Sequence, residues 1–175
     1  VINDTENSGI IKIEGQNRNG FNVTIQENPN FQTYKTDLQE VQTNLSEKKV
    51  TDIEKAILIN KIVQFTTENL GQYPFQKLVV SQTDYDKNPF YGLNQLPNFI
   101  NPFTNDFIFE IKFLKTYLNQ YLKNSLALDQ RKNNWIFDGI QVYMMMKYMD
   151  QNYPDAKMMG KLGDYKILKS YNFFS

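Results

Sequence analysis

The sequence has no cysteine and no histidine. The first absence excludes disulfides, thiolate catalysis and cysteine metal sites. The second excludes a Ser-His-Asp triad, a histidine general base and every histidine-ligated metal. An excess of either charge is also missing. Nineteen Lys and Arg balance nineteen Asp and Glu, for a formal net charge of 0. A nucleic-acid binder needs a strong basic footprint, so nucleic acid is not an expected partner. No run of about 18 apolar residues occurs, so no transmembrane segment is expected. The chain opens on neither a methionine nor a signal peptide, and Val1 reads as the start of a mature chain or an excised domain.

What is present is enough for a core. Of the 175 residues, 41% are hydrophobic and 14% aromatic, too rich for a disordered segment. A chain of this length buries roughly 70% of its unfolded surface. The expectation is a single α+β domain with a small N-terminal antiparallel sheet, mainly strands and loops over residues 1–45 and mainly helix over 50–175.

Local patterns place the elements. Residues 1–8 are polar and read as a frayed end. Ile11 and Ile13, then Phe21, Val23 and Ile25, alternate with polar residues across a turn at Gln16–Gly20. That is the signature of a hairpin with one buried face. Residues 31–37 suit a third strand. Thr51-Asp52-Ile53-Glu54 is a capping box. A helix should follow to about Leu70, with Gly71 in the left-handed closing position. Its apolar residues form two arcs, one of Ile53, Ala56, Ile57, Val63 and Leu70, the other of Leu58, Ile62 and Phe65. The pattern predicts burial on more than one side. Residues 76–81 read as a buried strand. Residues 84–102 hold three of the six prolines and read as a structured loop. A second helix is expected from Thr104 or Asn105 to about Asn124, and a third from about Asn134 to Asn152, ahead of Pro154. Met144, Met145 and Met146 suit core filling. Tyr171, Phe173 and Phe174 at the end suggest a longer chain.

Three constellations carry possible chemistry. Asp84, Asp86 and Asn88 match the start of a calcium loop, but Pro89 and Gln95 stand where it needs Gly and Glu. A side-chain-stabilised turn is the simpler reading. Glu110 and Asp138 could form a carboxylate pair across two helices, as a glycosidase requires. Phe109 and Phe113 are neighbours on one helix face, on a different arc from Phe107, Ile111, Leu114 and Leu118. That second face is either buried on another side or the wall of a cleft.

Taken in order, segments over roughly residues 50–150 resemble the catalytic domain of the gluzincin aminopeptidases, the thermolysin-like zinc exopeptidases of the alanyl-aminopeptidase type. Leu70-Gly71-Gln72-Tyr73-Pro74-Phe75-Gln76-Lys77-Leu78 is similar to the family's passage from helix to buried strand. Tyr91-Gly92-Leu93-Asn94-Gln95-Leu96-Pro97 stands where the family has G-x-M-E-N. Phe109-Glu110-Ile111-Lys112-Phe113 stands where it has H-E-x-x-H. Trp135-Ile136-Phe137-Asp138-Gly139-Ile140-Gln141-Val142-Tyr143 resembles the segment that carries the third zinc ligand.

The resemblance implies a gluzincin-like core with two antiparallel helices, on which the former ligand positions Phe109, Phe113 and Asp138 converge. It also implies a lost site. Benzyl groups offer no lone pair, so two of three ligands are gone and Glu110 has no metal-bound water to deprotonate. Asn94 or Gln95 replaces the Glu that receives a substrate's amine in the family. The gap from Phe113 to Asp138 exceeds the family's usual one. The expectation is a catalytically inactive, metal-free relative without cofactor that binds a peptide or protein, or scaffolds other domains of the same longer chain. The cleft would be lined by Asn94, Gln95, Phe109, Glu110, Phe113, Asp138 and Tyr143. An exported or cell-envelope location would follow from the resemblance. Two alternatives stand beside it: a metal-independent hydrolase using Glu110 and Asp138, and a purely structural helical domain.

Overall fold

Thr51 starts the first long helix as its sequence requires. Its side chain accepts from the Glu54 amide at 3.3 Å, and the Glu54 carboxylate accepts from the Thr51 amide at 2.7 Å. In the computed structural model, which describes residues 2–3, 12–13, 29–93 and 103–154, this helix (α1) spans Asp52–Leu70. Gly71 closes it with φ 95° and ψ −176°. The positive φ favours glycine, as expected, but the extended ψ replaces the left-handed turn. The Gly71 amide still donates to Thr67 O at 2.9 Å, and Tyr121 donates to Gly71 O at 2.7 Å.

The strands are β1 (Ile2–Asn3), β2 (Lys12–Ile13), β3 (Gln32–Lys35), β4 (Glu40–Thr43) and β5 (Lys77–Val80). β2 pairs with β1, antiparallel, with Ile2 opposite Ile13. Ile2 and Asn3, in the segment expected to fray, are therefore strand, and residues 4–8 lie outside the described residues. Residues 21–25, the other half of the expected hairpin, lie outside the described residues. β3 and β4 form a tight antiparallel pair, with Tyr34 opposite Val41. The turn between them is fixed by Thr36, whose hydroxyl donates to Gln39 O at 2.9 Å.

β5 pairs with β4 in parallel, Val41 opposite Leu78 and Thr43 opposite Val80. β4, α1 and β5 thus make a βαβ unit, and the sheet β3-β4-β5 is mixed rather than antiparallel. Along β5, Leu78 and Val80 are buried while Lys77 and Val79 face out. The expected fully buried strand is half-buried, with one face of the sheet covered.

The remaining helices are α2 (Gln82–Lys87), α3 (Asn105–Ser125) and α4 (Gln130–Asn152). α2 lies where a loop was expected. Its N-cap is Ser81, which accepts from the Asp84 amide at 3.1 Å, a capping signal hidden among turn-forming residues. α4 is interrupted at Asn133, with φ −120° and ψ 26°, and resumes at the residue where the pattern predicted its start.

α3 sits at the centre of the core. It packs against α1, β5, α2 and α4, and Ile108 through Leu114 are all buried. α1 turns Ile59, Ile62, Val63 and Phe65 inward. Of its other arc, Val63 is buried but Ile53 and Ile57 are mostly exposed, because α1 flanks the core on one side only. Of the three successive methionines, Met144 and Met145 fill core and Met146 points out. The protein is an α+β fold. Among the described residues, no helix is long and apolar enough to cross a membrane.

Candidate functional site

Two different environments meet along α3. On one side, Phe109, Phe113, Tyr117 and Tyr121 recur every fourth residue and so stack along the helix. Successive ring centroids lie 6.0, 5.6 and 6.2 Å apart. Phe109, Phe113 and Tyr117 are each 0% exposed. The Tyr117 hydroxyl accepts from Gln39 Nε2 at 2.6 Å and the Tyr121 hydroxyl donates to Gly71 O, so both polar atoms in this dry stack are satisfied. Burial pushes the Tyr117 phenol above its ordinary value.

On the other side lies Glu110, 1% exposed. A carboxylate at that depth needs partners, since leaving it bare would cost several kcal/mol. Three elements supply them. Lys61 of α1 places Nζ 2.9 Å from Oε1. Tyr148 of α4 donates its hydroxyl to Oε1, and Tyr153, just past the end of α4, donates to Oε2. The same Lys61 ammonium lies 5.2 Å from the Tyr148 ring centroid and 5.4 Å from that of Tyr153. Burial first, and the Glu110 charge next, raise the Tyr148 phenol above its ordinary value. Burial, then the bond to Glu110, do the same for Tyr153. Both phenols are held as hydrogen-bond donors.

The bonds between α3 and α4 fix the register of this helix pair. Glu110 meets Tyr148, and the Lys115 carbonyl accepts from Gln141 at 2.7 Å. The helices are therefore antiparallel and adjacent, as expected. Extending that register puts Asp138 level with residues 118–120, consistent with its electrostatic reach to both Lys115 and Lys123. Asp138 is then roughly two turns of helix beyond Phe113, about 9 Å along the axis. The three former ligand positions do not converge. Met144, Met145 and Tyr148 occupy the level where the third ligand would have to stand. Asp138 instead accepts from Asn134 at 2.7 Å.

The other expected cleft residues are also dispersed. Tyr143 is 62% exposed on the outer face of α4. Asn94 and Gln95 lie outside the described residues. Asp84 and Asp86 belong to α2, where Asp84 accepts from Ser81 at 2.6 Å and Asp86 from Gln82 at 2.8 Å. Those bonds make a capped turn of helix rather than a calcium loop. Among the described residues, no group of three acidic side chains could hold a metal ion. The zinc that the resemblance would assign to H-E-x-x-H does not fit here: two positions are buried benzyl groups, the third is elsewhere, and Glu110 is buried and held by three donors. Nor do Glu110 and Asp138 make a glycosidase pair. Glu110 is sealed from water, and the two lie on well-separated levels, whereas the reaction needs both carboxyls about 5–9.5 Å apart in an open cleft.

Sequence reasoning singled out Glu110 and missed its partners. Lys61 sits on an otherwise amphipathic helix, and Tyr148 reads as core filling. The one available signal was Glu110 itself, an acid inside an apolar stretch of helix, which demands a buried cation or donors from elsewhere. A second ion pair follows the same rule. Lys112, 6% exposed, meets Glu47 at 3.2 Å and lies 5.2 Å from the Tyr85 ring centroid.

No protein-family model, curated protein or solved structure matches this chain.

Proposed function

We propose that this chain is a non-catalytic domain that acts by binding or scaffolding, the metal-free relative of the zinc aminopeptidases that its motifs resemble. The observation that carries the reading is the condition of Phe109, Glu110 and Phe113, all buried to within 1%. A zinc peptidase needs lone pairs at the two outer positions and an accessible general base at the middle one. Here the outer positions supply packing area, and the middle one has both carboxylate oxygens engaged by Lys61, Tyr148 and Tyr153. Such a carboxylate, 1% exposed and held by three donors, is not open to a substrate or water. The order of the motifs supports the family relationship, and the level of Asp138 on α4 does not.

Elemental analysis of the purified chain, beside isothermal titration with zinc and an aminoacyl-substrate assay, tests the proposal. The expected result is no bound metal, no zinc uptake and no hydrolysis. One equivalent of tightly held zinc together with cleavage would overturn it.

A further inference from the structure

The outer face of α4 carries large apolar side chains into water. Trp135 is 73% exposed, Tyr143 62% and Met146 54%. Gly139 lies among them, and a Cβ added there would meet nothing within 4 Å. At 100° per residue these four positions fall within about 80° of one another, one continuous stripe. Exposed Asp150 lies in the same sector at the C-terminal end, and exposed Arg131 and Lys132 stand at the N-terminal end. Single exposed apolar residues are ordinary, but a contiguous stripe of them marks an interaction surface.

The stripe complements itself. Lay a second copy of α4 against it, antiparallel, with a two-fold axis near residue 141. Each residue then faces one about equally far on the other side of that point, and each contact occurs twice. Trp135 meets Met146, a favourable sulfur–aromatic contact. The Tyr143 ring lies over the notch at Gly139. Arg131 and Lys132, in the turn ahead of the break at Asn133, come to the level of Asp150. With Asp129 4.0 Å from Arg131, that end keeps one net positive charge, so opposite charges close both ends. A parallel arrangement would instead set Asp150 against Asp150 and leave the notch unfilled.

We propose that α4 is the interface of an antiparallel homodimer, with Trp135, Gly139, Tyr143 and Met146 at its centre. The inference stands apart from the metal-site reading, since none of these side chains touches Glu110 or the phenylalanine stack. Two aromatics and a methionine per copy place the buried area at the low end of specific interfaces, so the dimer is a weak one that dissociates on dilution.

Trp135 is the only tryptophan, so its emission reports this surface directly. Sedimentation equilibrium of the full chain should be run beside tryptophan fluorescence over the same concentration series. The expected result is a rise from monomer to dimer mass with a parallel shift of emission to shorter wavelength. Gly139→Arg fills the notch at a position where nothing else is crowded, and should raise the dissociation constant about tenfold or more with an unchanged circular dichroism spectrum. Asp150→Lys should weaken the dimer, and adding Arg131→Glu and Lys132→Glu to it should restore association. A monomer at every concentration overturns the proposal. So does a dimer whose tryptophan emission does not move, or one indifferent to Gly139→Arg.

Discussion

The two sides of α3 are equally dry and are held in opposite ways. Phe109, Phe113 and Tyr117 are closed by ring packing, an undirected interaction proportional to buried area. Glu110, one residue from Phe109, is closed by directed bonds from α1, α4 and the segment just after it. The first arrangement tolerates a change of shape poorly and has few polar atoms to strand, such as the Tyr117 hydroxyl on Gln39. The second strands three partners when one group is removed. The difference teaches why the stack gives little specificity for how α1 and α4 are placed, while a single carboxylate fixes both.

Breaking the packed side should cost the most. Phe113→Ala leaves a cavity in a fully buried site and should lower stability by about 3–5 kcal/mol, read from urea unfolding midpoints. Breaking the polar side should cost slightly less. Glu110→Ala leaves two buried phenols and a lysine without their acceptor, and should cost about 3 kcal/mol. The figure sits at the low end for a buried pair because Lys61 is partly exposed and can turn to water. Replacing the whole cluster sharpens the contrast. Glu110→Leu with Lys61→Met, Tyr148→Phe and Tyr153→Phe removes both charges and donors together, and should recover most of that loss. If the quadruple variant is as unstable as Glu110→Ala, the cluster contributes packing that leucine cannot supply.

Alkali probes the polar side without mutation, although burial also raises Tyr117 and Tyr121 of the stack. The folded pKa values of Tyr148 and Tyr153 lie above the ordinary 10.0, so the folded chain holds protons that the unfolded chain releases. Their stabilisation is fully present below pH 10 and is lost as pH rises past it. Urea unfolding should therefore show stability falling above about pH 10. Tyr148→Phe with Tyr153→Phe should reduce that slope, the remainder coming from other buried phenols such as Tyr117, whereas Phe109→Leu should leave it unchanged. The smallest effect belongs to neither side. Thr51→Ala removes a cap from an exposed helix end and should cost about 1 kcal/mol.

Local signals were legible wherever the cause was local. The Thr51–Glu54 capping box names the first residue of α1, and the stop before Pro154 names the last turn of α4. Ser81 and Asp84 carried the same kind of signal for α2, but prolines downstream outweighed it. The Phe109–Phe113 face was correctly read as apolar, and its two possible meanings, cleft wall or second buried side, look identical in a list of residues. Only the position of α4 distinguishes them.

By itself the sequence determined that cysteine and histidine chemistry is impossible and that helices begin at Thr51 and near Thr104. These follow from side-chain chemistry and from hydrogen bonds within four residues. The tertiary structure alone decided that β5 joins β4 in parallel, that Asp138 stands well away from Phe113, and that Glu110 is buried with Lys61, Tyr148 and Tyr153 as its partners. Such pairings join residues 37 to 49 positions apart. Helix periodicity fixes which way a side chain faces, but the register between two helices is set by how their surfaces interlock, and no local pattern encodes it.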